Sequence, residues 1–126
     1  MAAARPLERW RWQSRLVVVL AERLDDPLLE AQLRLLQDAS DGLLERDMVV
    51  VAAAGDVVTI DGREAADVTV ESLRAAYAAP GAGSQVLLIG KDGGVKLRST
   101  EPVSTDELFA LIDSMPMRRR EMQERN

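Results

Sequence analysis

Three apolar runs organise the chain: residues 16–20 (LVVVL), 48–53 (MVVVAA) and 85–90 (QVLLIG). None alternates with polar residues, which is the pattern of strands covered on both faces rather than of a sheet with one wet side. Helical periodicity separates the first two. Asp25-Asp26-Pro27 supplies an acidic cap and then a proline at a first helical position, where its missing N–H costs nothing. Leu28, Leu29, Leu33, Leu35, Leu36 and Ala39 form a broad apolar face opposite Glu30, Gln32, Arg34, Gln37 and Asp38. Ser40-Asp41-Gly42 is expected to stop this helix, with Leu43 and Leu44 tucked into a short linking turn. Strand, helix and strand in this order predict a right-handed crossover between parallel strands.

The second half changes pattern. Asp56-Val-Val-Thr-Ile60 followed by Asp61-Gly62 reads as a small extra strand and turn, and Thr69 as the cap of a short helix through Leu73, Ala76 and Tyr77 that Pro80 and Gly81 end. Beyond the third apolar run, Val95-Lys-Leu-Arg98 alternates apolar and basic as a half-exposed strand does, and Lys91-Asp-Gly-Gly94 between them predicts a tight hairpin turn. Lys96 then marks a sheet edge protected against further pairing. The last helix opens with Ser104 as cap, Glu107 as its capping-box partner and Val103 with Leu108 as a hydrophobic staple. It buries Leu108, Leu111, Ile112 and Met115 and is ended or kinked by Pro116. After it the chain reads as polar, fraying unless Met117 and Met122 dock. At the other end, Trp10 and Trp12 fall on one side of an extended segment and are expected to cover the end of the core.

These elements predict a single α/β domain with a four-stranded mixed sheet and helices on both faces, in the order β-α-β-α-β-β-α with a small insertion strand. This is a thioredoxin-like order. Residues 1–14 form an extension, 15–115 the domain and 116–126 a polar tail. A length of 126 residues suits one core rather than two.

Composition narrows the chemistry. There is no cysteine and no histidine, so thiol redox chemistry, Cys/His zinc sites and imidazole-based triads are excluded for this chain. Carboxylates, arginines, hydroxyls, one tyrosine and two lysines remain. The formal net charge of −5 argues against a nucleic-acid partner, and no apolar run approaches a membrane span. The chain as it stands is expected to be soluble and cytoplasmic, and periplasmic or secreted if a leader has been removed. No metal, cofactor or catalytic residue is expected.

The segments RWRWQSRLVVVLA, ERDMVVVA, LLIGKDGGVKLRS and IDSMPMRRREM together resemble a peroxiredoxin-like domain of unknown function found in short bacterial proteins. A related version in vertebrate sushi-repeat and extracellular-matrix proteins is called the DUDES domain. The resemblance implies a thioredoxin-like fold and no agreed activity. In redox members of that superfamily the reactive thiol lies between the first strand and its helix; here the junction holds Glu22, Arg23 and Asp25 instead, which makes them a candidate ligand site. A second candidate groups Lys91, Arg98 and Glu101 at the hairpin and its exit. The third is Met115-Pro-Met-Arg-Arg-Arg120, in which adaptable methionines and forked guanidinium groups suit a docking surface. Lys91, Arg98, Met117, Arg118, Arg119 and Arg120 are thus the candidate partner surface. The expected function is a redox-inactive binding module acting on a protein partner or on a second copy of itself; the alternative is a small-molecule binder or cysteine-independent enzyme using the first junction.

Overall fold

A computed structural model describes residues 6–81 and 83–125. A 3-10 turn at Glu8–Trp10 leads into β1 (Arg15–Ala21), α1 (Pro27–Gln37), α2 (Ser40–Glu45), β2 (Met48–Ala54), β3 (Val57–Ile60), β4 (Arg63–Glu64), α3 (Val70–Tyr77), β5 (Gln85–Ile89), β6 (Val95–Ser99), α4 (Thr105–Asp113) and α5 (Pro116–Arg125). The strands form one mixed sheet in the order β4-β3-β2-β1-β5-β6. β1 runs parallel to β2, with Val18 opposite Val51, and antiparallel to β5, with Val18 opposite Leu87. β1 and β5 are buried along their whole length, as their unbroken apolar runs require.

The sheet has six strands rather than the expected four. Asp61 (φ 50°) and Gly62 (φ 82°) form a two-residue turn that folds β4 back on β3, pairing Ile60 with Arg63. Paired positive φ values match the twist of adjoining strands, so the insertion becomes a hairpin that widens the sheet. Helices cover both faces. Leu16, Val18, Leu20, Val51, Leu87 and the α3 residues Leu73 and Tyr77 make one core layer. Val17, Val86 and Leu88 pack on the other face with Leu28 and Leu36 of α1, Leu43 of α2 and Leu108 and Ile112 of α4. Among the described residues no helix is long and apolar enough to cross a membrane.

Four local expectations change. Ser40-Asp41-Gly42 begins α2 instead of ending a helix: a Cβ on Gly42 would stand 2.4 Å from the Phe109 ring, so this glycine serves close packing against α4 rather than helix breaking. Leu43 is buried, but Leu44 is 74 % exposed. Ser104 Oγ accepts the Glu107 backbone N–H at 3.2 Å, while the full reciprocal capping box forms at Thr69 and Ser72. The tryptophans do not share one side of an extended segment. Trp10 ends the 3-10 turn and packs on the core, whereas Trp12 sits at φ 66° with 57 % of its surface exposed.

Pro116 both ends α4 and starts α5, and α5 docks through charge. The Arg15 side chain is 1 % exposed and makes a forked contact with Glu121 (3.1 and 3.2 Å). Lys91 Nζ lies 2.8 Å from both Glu121 and Asp47. One turn away Arg118, also 1 % exposed, donates to Asp113 at 3.0 Å, and Arg46 meets the same carboxylate at 2.9 Å while lying 3.9 Å over the Phe109 ring. Burial pushes the Glu121 carboxyl up, but hydrogen bonds from Arg15 and Lys91 outweigh it and hold the group below the usual range. Asp113 is lowered in the same way, burial being overcome by Arg46 and Arg118.

Candidate functional site

The junction between β1 and α1 satisfies its own polar groups. Asp26 caps α1 by accepting the Leu28 N–H at 2.9 Å and also accepts the Ser84 hydroxyl proton, while Ser84 Oγ accepts the Glu22 N–H at 3.1 Å. The Ser84 hydrogen bond is the main reason the Asp26 carboxyl lies below its ordinary range, with the Leu28 N–H adding to it. Arg23 and Asp25 form an exposed pair at 3.3 Å, a geometry worth little in water. Thus Arg23 and Asp25 meet each other, while Glu22 joins only through its backbone N–H, in a capped helix start tied to the neighbouring loop.

The expected partner surface divides. Arg98 turns away to the far end of β6, where it donates to the Tyr77 carbonyl and to Gln85 Oε1. Glu101 engages Ser99 through its backbone. Arg118 is internal, which removes it as a contact residue, and the Lys91 ammonium is spent on Asp47 and Glu121. The rest converge. The β5–β6 turn and the α4–α5 junction enclose a groove of about 280 Å³ lined by Gly90, Lys91, Asp92, Lys96, Met115 and Met117. A shallower depression beside Met117 carries Arg120 and Glu124. Segments some 25 residues apart are brought into contact because α5 folds back on the hairpin through Glu121 and Lys91.

Trp12 joins this corner. Its backbone N–H donates to the Lys91 carbonyl at 2.6 Å, and the Arg11 guanidinium lies 5.5 Å from its ring centre. A positive φ at a bulky aromatic residue carries a conformational cost, and here the contact to Lys91 maintains it while the indole stands out in solvent. Among the described residues no ion pair involves Arg119 or Arg120, and both are exposed. Lys96 is paired with Asp92 at 2.8 Å, a contact that holds the Asp92 carboxyl below its usual range. The corner therefore combines an exposed indole, two methionines in a groove and one unpaired guanidinium group, Arg120. Among the described residues it holds no nucleophile paired with a base.

A family model described as a domain of unknown function, DUF4174, matches residues 6–121. The chain belongs to this family. The match runs from before the Trp10 turn to Glu121, so the element that closes the ionic cluster is part of the DUF4174 domain. The chain is also similar to the sushi repeat-containing protein SRPX of Rattus norvegicus and of Homo sapiens, at 32 % identity over 124 residues, covering 95 % of this chain and 27 % of each relative. It thus spans about a quarter of the length of the curated relatives it matches. No solved structure matches it.

Proposed function

We propose that this DUF4174 domain is a redox-inactive, thioredoxin-fold binding module that recognises a protein partner through the corner formed by Trp12, the β5–β6 turn and the α4–α5 junction. The observation that carries the reading is Trp12: an indole 57 % exposed, at a costly positive φ, beside a methionine-lined groove. Tryptophan, methionine and arginine are the side chains that interface cores favour, because they offer large desolvating area with few rotors or with adaptable packing. The unpaired Arg120 favours a partner segment that carries carboxylates next to apolar anchors.

The thioredoxin-like reading draws support from the parallel β1-α1-β2 crossover, the antiparallel β5–β6 hairpin followed by α4, and α3 on the opposite face. The likeness to the DUDES domain and to short bacterial proteins belongs to the same reading. So does the share of SRPX that the chain matches, since a segment that is 27 % of a longer protein suits a module. With no cysteine at the β1–α1 junction, thiol-disulfide exchange has no nucleophile. A small ligand at that junction gains nothing from its geometry, where Asp26, Ser84 and the Glu22 N–H already bind one another.

The test is affinity capture from lysate of the source organism with the parent chain, Trp12→Ala and Met117→Ser, with captured proteins identified by mass spectrometry and then purified for titration. The expected result is a partner whose affinity falls at least tenfold in both variants, with amide shifts confined to the turn and to α5. Shifts from a metabolite library that cluster at residues 21–27 would instead establish the ligand site and overturn the binding-module reading.

A further inference from the structure

The opposite half of the sheet carries a second unfilled surface. α1 and α4 cover β1 and β5 on their face of the sheet, but β3 and β4 extend past the helices. There a trough of about 320 Å³ opens, with Leu33, Leu36, Leu43, Val50, Ala52 and Thr59 among its lining. Its rim is acidic. Asp61 lines it and uses one carboxylate oxygen to accept the Val50 N–H at 2.9 Å. Glu64 pairs with Thr59, and paired residues of antiparallel strands share a face, so Glu64 lies on the trough side. Among the described residues neither of these carboxylates has an ion pair. The nearby cations do not answer them: Arg34 is taken by Glu30 at 3.2 Å, and Arg63 pairs with Ile60, whose side chain joins the opposite core layer.

We propose that this trough is a docking site for a cationic amphipathic helix of a protein partner. Apolar side chains spaced i, i+3 or i+4 and i+7 fill the cleft between α1, α2 and β3, and lysines or arginines on one flank meet Asp61 and Glu64. Charge complementarity selects the occupant. An acidic or neutral helix would leave two like charges unpaired along one edge of an apolar seam, whereas a basic one satisfies them and gains on-rate from steering. The trough is separate from the Trp12 corner, so the two surfaces stand or fall independently.

The probe is an 18-residue Leu/Lys amphipathic peptide, with a Leu/Glu peptide of the same pattern as control, followed by calorimetry and ¹⁵N–¹H spectra of the full chain. The Leu/Lys peptide is expected to bind with shifts centred on Ala52, Thr59 and Gly62, and the Leu/Glu peptide not to bind. Thr59→Trp, which fills the cleft, should weaken binding at least tenfold. Glu64→Lys, which reverses the charge on the β4 edge, should weaken it at least threefold while leaving the lining intact. Trp12→Ala should leave it unchanged, which separates this site from the corner. Equal affinity for parent and both trough variants, shifts elsewhere, binding of the Leu/Glu peptide, or no binding of either would overturn the proposal. Trough shifts that grow with protein concentration alone would place a second copy there and overturn it as well.

Discussion

Replacing Glu121 with glutamine removes one negative charge from beneath α5 and leaves its shape almost unchanged. Two cations lose a hydrogen-bonded partner, the Arg15 side chain, 1 % exposed, and Lys91, 9 % exposed, and Arg118 loses a contact at 3.9 Å. Breaking a buried ion pair from one side costs about 3–5 kcal/mol, because the remaining charge stays desolvated. Two features reduce that figure here. Lys91 keeps Asp47 at 2.8 Å, and Arg15 keeps the Arg46 carbonyl at 3.0 Å. Glu121 itself is 17 % exposed, so water relaxes part of the loss. The expected cost is about 2–3 kcal/mol, a Tm drop of roughly 8–12 °C for a chain of this size. Urea unfolding followed by tryptophan fluorescence and far-UV circular dichroism measures it. The Arg15→Met, Glu121→Gln double variant completes a cycle in which the coupling should exceed about 1 kcal/mol. A Glu121→Gln protein within about 0.5 kcal/mol of the parent would refute the idea that this carboxylate fastens α5.

The pH dependence follows from the same groups. Glu121 and Asp113 both have folded-state pKa values below their ordinary ones, so their stabilisation is fully present above the unfolded values near about 4 and is lost as pH falls through the folded values. Stability from pH 7 to 5 should not change on their account and should fall below about pH 4; an Asp113→Asn, Glu121→Gln protein with an equally steep acid slope would contradict this. Arg118→Ala should destabilise by about 3 kcal/mol, since it removes one of the two guanidinium partners of Asp113 and empties a buried volume. Arg119→Ala, at the exposed next position, should stay within about 0.5 kcal/mol; the two are compared by thermal unfolding.

Much of the scaffold was legible because its signals are local. The unbroken runs at residues 16–20 and 85–90 became the buried strands β1 and β5, Asp26 and Pro27 opened α1, and Gly93 at φ 86° lies in the β5–β6 turn. The misread stretches involve distant partners. Gly42 looked like a helix breaker, but its role is set by Phe109, 67 positions away. Asp61-Gly62 was read as a turn, yet the two-residue strand after it carries no periodicity from which a sixth strand could be read. The polar appearance of α5 hid its docking, because its anchors are Arg118 and Glu121 rather than an apolar stripe. Their i, i+3 spacing puts them on one face, and that was the available sign. Arg15, directly ahead of an apolar strand, was the matching one. The trough left no sequence signal, since its lining comes from α1, α2, β2 and β3 and forms only when they pack.

The anchoring of α5 also bears on recognition. Met117 lines the corner groove and precedes Arg118, whose side chain is enclosed between Asp113 and the Glu45 carbonyl. Lys91 borders the groove while its ammonium is held by Glu121, and its carbonyl holds Trp12 in position. One ionic cluster thus fixes the groove wall, the groove floor and the exposed indole together. Interface anchors add affinity when their ordering has already occurred before binding, and a cluster buried behind the surface supplies that order without occupying the surface. A change at Glu121 should therefore weaken docking at the corner even though Glu121 need not touch the partner. It should leave the trough between α1 and β3 unaffected, because none of the cluster's side chains lines it.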